Sequence, residues 1–551
     1  MACLPAGVLA VVGTGAETGR FSFLFLGTVL HFGEFGRVFL FLTALLWAAS
    51  GLFAGGYFSG DRSASNRFSL FFLLTLCGNL GLCLAQDVSS FYAFFALMSF
   101  AAYGLIVHNK TKKALRAGRV YLVMAVLGEV CLATSFFYAG LAAPLMEGLT
   151  FSEIVPALHA QPQTTTILVL AYIGFGVKAG ALALHFWLPL AHPAAPIPAS
   201  AVLSGAMIKA GLLGWLQMFN FPEPQQWGIV LAWLGLCAAV YGVLAGVRRQ
   251  DPKTILAYSS ISQMGLMTMA LGFILVGGEA EADEVLSGLL FFVLVHGMAK
   301  GSLFLGVGPA LAAGKSTARG LIVLLGLLLA SLVLAGLPLS AGAVVKLALK
   351  HGAALLPGPW PGFFKTMLGV TATGTMFLLA VFLRRIQVQM PDRNSTLDRK
   401  LFLAWGGLVA MVILAVPLGQ FFPFIHIQEL VAAKAGILSG LWPVGLGIGL
   451  AAVFLNSAWS VREPVGVDER FLSPWEKSLT WLREKWRSGH YCDPSCGRIN
   501  LEGWADRLLQ TRWMRTVPDR LEHRLLYWHT AGILLIVFLL LFAVLLRSPS
   551  P

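Results

Sequence analysis

Strings of about 20 apolar residues, each long enough to cross a bilayer as a helix, recur along this chain and leave it few folds. They lie near 37–58, 67–86, 88–108, 118–143, 166–187, 197–219, 226–247, 254–277, 285–311, 319–350, 365–385, 401–422, 434–457 and 527–547. The stretch 319–350 is too long for one plain helix and is interrupted at Pro338. Only 12% of the 551 residues are charged, about half the share of a soluble chain. That excludes a cytosolic globular enzyme, a disordered protein and a nucleic-acid binder, despite a formal net charge of +13. Seven scattered cysteines make no disulfide framework. The expected fold is an all-α polytopic membrane protein with about 14 transmembrane helices.

Residues 1–36 lack the basic start of a signal peptide and read as a short N-terminal membrane-edge segment. Within it Phe21–Phe32 is apolar but short, and Gly27, Gly33 and Gly36 favour a turn or hairpin. Residues 37–66 supply a first span and its loop.

Loop charge sets the topology. Arg62, the Lys110–Arg119 cluster, Arg248/Arg249/Lys253, Lys315/Arg319 and the run from Arg384 to Lys400 all fall on one side. Intervening loops carry Glu147, Glu153, Glu223 and the Glu279–Glu284 acidic run. Basic loops face the cytoplasm, so an inner-membrane protein with these loops inside is expected. Five spans in 67–219 begin inside, and five in 226–385 begin outside, which makes two inverted five-helix repeats. The fourth span of each holds a lysine, Lys178 or Lys346, beside Gly/Pro interruptions. Broken helices at matching places mark an ion or substrate path near the midplane, here with breaks near 178–190 and 338–346. Two further spans occupy 401–457. Residues 458–526, rich in charge and tryptophan, read as a cytoplasmic amphipathic segment, and 527–551 as a C-terminal span.

A charge at the bilayer centre costs at least about 2.5–3.5 kcal/mol on insertion scales. Those that stay inside the spans are Glu129, Lys178, Lys209, His296, Lys300 and Lys346, with His185 and His192 nearer a span end. Such groups, linked by internal water, can pass protons; moving a carboxylate toward or away from a lysine makes it hold or release its proton. Lys253 and Lys300 sit near span ends, where a lysine can instead snorkel. His185 and His192 can equally cap a helix break. Glu129 has no cation at helical spacing, so its partner must come from another helix unless it stays protonated. Cys492 and Cys496 with His490 and His523 make only a weak sketch of a zinc site, and no metal is expected. Nothing in the sequence resembles a Walker, Rossmann or iron–sulfur motif, so ATP or redox chemistry is not expected of this chain alone.

The segment HFWLPLAHPAAPIPASAVLSGAMIKAGLLG (185–214) resembles the signature of the antiporter-like subunits of respiratory complex I, Mrp cation/proton antiporters and membrane-bound hydrogenases. Its AHPAAP form is most similar to the large membrane subunit of hydrogenase 4 and formate hydrogenlyase. GFGVKAG (174–180), DPKTILAYSSISQMG (251–265), VHGMAKGSLFLGVG (295–308) and GLPLSAGAVVK (336–346) match in the same order. The resemblance implies a central proton path in which Lys178 is the lysine of the broken seventh helix. Lys209 is then the basic group of the eighth, His296 the histidine of the eleventh and Lys346 the charged residue of the broken twelfth. It also implies partner subunits, membrane and peripheral, which would carry any iron–sulfur or other redox cofactor. Two departures stand out. Ala96 in FFALMSF (94–100) occupies the place of the family's fifth-helix glutamate, so Glu129 is the nearby carboxylate left to pair with Lys178. The family's first two helices are expected to be shortened or absent.

Three functions follow from these readings. The first is a proton-translocating subunit of a membrane redox complex. The second is a cation/proton antiporter or ion-uptake subunit, Mrp-like or linked to inorganic carbon, moving protons or sodium. The third is a proton-inert membrane scaffold.

Overall fold

In a computed structural model, residues 2–13, 18–21, 27–142, 149–158, 163–219, 225–392, 398–420 and 441–457 are described. The amphipathic segment 458–526, the span 527–547 and the residues Cys492, Cys496, His490 and His523 lie outside them.

A helix α1 (Leu4–Val12), not foreseen in the sequence, precedes an antiparallel hairpin of β1 (Thr18–Phe21) and β2 (Thr28–His31). Then come α2 (Glu34–Tyr57), α3 (Arg62–Leu84), α4 (Val88–Ile106) and α5 (Lys112–Ala142). Next are the short α6 (Phe151–Leu158), α7 (Thr164–Ala179), α8 (Leu188–Ala194), α9 (Ile197–Val202) and α10 (Lys209–Met218). The second half holds α11 (Gln225–Gly246), α12 (Pro252–Val276), α13 (Glu279–Ala312), α14 (Ala318–Ala335), α15 (Ala341–Ala354) and α16 (Trp360–Gln389). Finally α17 (Arg399–Ile413), α18 (Ala415–Gln420) and α19 (Leu441–Leu455) complete the described chain. Helix starts obey local chemistry: Asp61, Asp87 and Asp251 accept from the backbone N–H three residues on, at 2.8, 2.7 and 2.7 Å.

Among the described residues ten helical stretches are long and apolar enough to cross a membrane, α9 through α10 counting as one. Four expected spans are not among the ten: 166–187 is broken after the short α7, 401–422 and 434–457 hold only shorter described helices, and 527–547 lies outside the described residues. The span at 166–187 is α7 and a non-helical stretch that leads into α8; the span at 319–350 is α14, a shorter stretch and α15. Both breaks share one backbone design. Gly180 and Gly336 end their half-helices in the left-handed region (φ 71° and 83°), and three residues later Ala183 and Leu339 return to it (φ 67° and 66°). Glycine adopts that conformation without strain.

The lysines do not share this correspondence. Lys178 lies two residues before its break, whereas Lys346 lies ten residues after Gly336, inside α15. Proline and glycine mark where a helix stops, but not on which side of the stop a charge will sit. The span at 197–219 is also interrupted, by a π-helical turn over Leu203–Met207.

The most buried helices are those of Lys209, Lys253, His296 and Lys300. The membrane-crossing windows of α13, of α12 and of α9 through α10 are 100%, 94% and 94% buried, against about half for α3, α14 and α16. A helix apolar all round belongs inside a bundle. Small residues let the central helices approach: a Cβ added at Gly272 of α12 would sit 2.4 Å from the Gly228 carbonyl oxygen of α11.

Candidate functional site

Lys178 ends α7 and is 4% exposed. Its ammonium donates to the Tyr121 hydroxyl of α5 (3.0 Å), which donates to the Ser99 carbonyl of α4 (2.6 Å). The Phe95 and Tyr121 rings stand 5.7 and 5.3 Å from the nitrogen, and Trp187 packs edge-on against Tyr121 at 5.1 Å. An aromatic cage thus surrounds the charge. Glu129 lies two helical turns beyond Tyr121 on the same face of α5. Glu129 and Lys178 line one cavity of about 10 Å³, bounded also by Phe95, Ser99 and Gly128. That is room for about one water. Both groups are buried, within electrostatic reach of each other, and the ammonium's hydrogen bond goes to Tyr121.

The second group sits in the bundle centre. Lys209, fully buried, opens α10 directly after the π-helical turn and donates to the Ser204 carbonyl at 2.6 Å. The Ser204 and Ser260 hydroxyls bond at 2.7 Å. Ser260 donates to the Leu256 carbonyl of α12 at 3.0 Å, and Lys300 of α13 donates to that same oxygen at 3.1 Å. Two lysines on different helices are therefore joined through two serines and two carbonyls. His192, Lys209, His296 and Lys300 are all fully buried and within electrostatic reach of one another's cluster. The His192 ring stacks on Phe304 at 4.6 Å, and among the described residues neither ring nitrogen of His192 or His296 has a hydrogen-bond partner.

Two residues open to a snorkelling reading turn inward. Lys300 is fully buried, and Lys253 donates to the Ala195 carbonyl, which the break between α8 and α9 exposes. His185 packs against Tyr241 at 4.8 Å.

Lys346 forms the third group. Its nitrogen is enclosed, has no hydrogen-bond partner among the described residues, and faces a cavity of about 10 Å³ lined by Gln263, Phe292 and Gly342. Gln263 is held by Thr375 at 3.1 Å, and Phe292 leads to His296, 6.2 Å between ring centroids. The sequence reading missed Tyr121, Ser204 and Ser260. Among the described residues no group of three His, Cys, Asp or Glu side chains could hold a metal ion.

Residues 85–354 match the family profile described as NADH:quinone oxidoreductase/Mrp antiporter, transmembrane. Hydrogenase-4 component B of Escherichia coli is 31% identical over 301 residues, 52% of this chain and 44% of that protein. NADH-quinone oxidoreductase subunit N of Desulforudis audaxviator is 29% identical over 272 residues, 48% of this chain and 52% of its own. The chain spans about half the length of these curated relatives. The Mrp complex of a Dietzia species shares the fold with a TM-score of 0.70 at 22% identity, over 92% of this chain and 58% of that one. Residues 85–354 thus resemble the transmembrane profile of that family, and the fold is shared with a chain of the Mrp complex.

Proposed function

We propose that this antiporter-like chain is a proton-translocating subunit of a multisubunit membrane redox complex, hydrogenase-like or complex I-like. One observation carries the reading: Lys178, Lys209 and Lys346 stand on three interrupted helices, and each faces a cavity with room for about one water. Interrupted helices free backbone acceptors inside a membrane, and small wet cavities between bases are what a proton needs to hop. The path runs from Glu129 and Lys178, through Lys209, His296 and Lys300, to Lys346, with His185, His192 and Lys253 as accessory groups. Tyr121 holds Lys178, and Glu129 stands in through the shared cavity for the carboxylate missing at Ala96.

The charge inventory favours protons over sodium. Apart from Glu129, the buried charges of this path are lysines, which repel a metal cation. Redox cofactors would belong to partner subunits. The basic loops favour a cytoplasmic side of an inner membrane for the connections 58–61, 107–111, 247–251 and 313–317.

The test is proton uptake by vesicles containing the native complex, driven by an imposed diffusion potential and read with a pH dye. Lys178→Ala and Lys346→Ala should assemble, yet each should lose about tenfold or more in rate, a barrier rise of about 1.4 kcal/mol. Glu129→Gln should also slow uptake, and Ala96→Glu in that background should restore part of it. Undiminished uptake in both lysine variants would refute the central path.

A further inference from the structure

The cavity that Lys209 faces also touches helices that hold none of the other charged groups of the path. It measures about 10 Å³ and opens between α2, α3 and α10, lined by Thr43, Asn79, Cys83 and Lys209 among apolar neighbours such as Phe39 and Leu213. Thr43 and Asn79 are 1% and 3% exposed. The Asn79 amide nitrogen donates to the Thr43 hydroxyl at 2.6 Å, and the Cys83 thiol donates to the Asn79 carbonyl oxygen of the backbone at 3.1 Å. The other amide atom of Asn79, Oδ1, is buried with no hydrogen-bond partner among the described residues. Were the amide turned over, its NH₂ would take that place, so either way one polar atom is left over.

A buried polar atom without a partner costs about 1–3 kcal/mol. A cavity with room for about one water, and with polar groups on two walls, removes that cost when a water occupies it. The cavity also lies in a distinct direction. Cys83 is one residue from the end of α3, and α2 begins just after the β-hairpin, so Thr43, Asn79 and Cys83 lie between Lys209 and the hairpin side of the membrane. The Ser204–Ser260 route to Lys300 instead leads across the bundle.

We propose that this cavity is a water site forming a side branch of the path, through which Lys209 exchanges protons toward the hairpin side, with Asn79 as its positioning residue and Thr43 fixing the amide. The water bridges the Lys209 ammonium and the Asn79 amide. Lys209 then has two alternative acceptors, the Ser204 carbonyl and this water, and the branch works by the ammonium turning from one to the other. The proposal rests on the proton-translocating reading above.

Its test uses the native complex in vesicles, with proton uptake driven by an imposed potential and read with a pH dye, and Lys209→Met as the reference. Asn79→Leu keeps the branched shape and heavy-atom count of the side chain but offers the water no partner. It should lower uptake about tenfold, as expected for one lost hydrogen bond to a charged group. Asn79→Ser supplies a hydroxyl and leaves space for a second water, so it should recover most of the rate, which a purely packing role for Asn79 would not allow. Normal uptake in Asn79→Leu while Lys209→Met is inactive would overturn the branch and leave the central path standing. Equal loss in Asn79→Leu and Asn79→Ser would also overturn it. Normal uptake in Lys209→Met would overturn the underlying reading, and the branch with it.

Discussion

The serine pair between Lys209 and Lys300 can be tested so that its structural and conducting roles separate. Ser204 and Ser260 are each essentially unexposed, and their hydroxyls are bonded to each other at 2.7 Å. Ser260→Ala deletes that partner and strands the Ser204 hydroxyl in an apolar interior, at a cost of about 1–3 kcal/mol. Ser204→Ala is milder, because Ser260 keeps its bond to the Leu256 carbonyl. Replacing both partners leaves no stranded hydroxyl and is expected to be close to neutral. Stability should therefore be strongly non-additive, with the double variant recovering most of what Ser260→Ala loses. Proton uptake should not recover, since neither variant restores the hydroxyl link between the lysines. The assay is a double-mutant cycle with two readouts on the same preparations: the thermal midpoint in detergent, and uptake in vesicles. If uptake returns in the double variant together with stability, the hydroxyls are packing elements only and the connection does not run through them.

Gly336→Ala should destabilise the chain by about 1–2 kcal/mol, since an L-residue pays that much in the left-handed region. The added Cβ would also sit 2.5 Å from the Lys346 side chain, so a lowered unfolding midpoint should come with slower uptake; an unchanged midpoint would contradict the φ of 83° at that position. At the basic-loop end, His108 packs between Phe58 and Phe68. Burial first, and then the Arg67 charge, hold its imidazole below its ordinary value of 6.5. The folded chain thus favours neutral His108, while the unfolded chain takes up a proton as pH falls through about 6.5. Stability should be highest above that pH and decline below it, and His108→Phe should flatten the slope in a pH series of unfolding midpoints.

Much of this architecture could be read from residues, and what escaped did so for physical reasons. Apolar length and loop charge suffice for spans because lipid imposes both. The lysines announce themselves because a cation in an apolar run is expensive. Ser204, Ser260 and Tyr121 do not, since a hydroxyl in a membrane helix usually satisfies itself on the preceding turn, as Thr75, Thr268 and Ser331 do here. Whether it also reaches across to another helix depends on helix rotation, which no local pattern encodes. The π-helical turn at Leu203–Met207 carries no proline to mark it. Lys346 seemed the counterpart of Lys178 because both accompany a break, yet only the backbones correspond.

That mismatch has an electrical consequence. Counting along the helices at about 1.5 Å per residue, Lys178 lies about 21 Å from the hairpin-side end of α7, and Lys346 about 12 Å from that end of α15. A row of sites joining them is therefore tilted rather than level. A proton moving from the first to the second would cross about 9 Å of a hydrocarbon layer about 30 Å thick, or about 0.3 of the membrane voltage. At about 2.3 kcal/mol per unit charge and 100 mV, each 100 mV would bias that sideways step by about 0.7 kcal/mol. Sideways transfer would be electrogenic in its own right, favoured by one sign of voltage and opposed by the other.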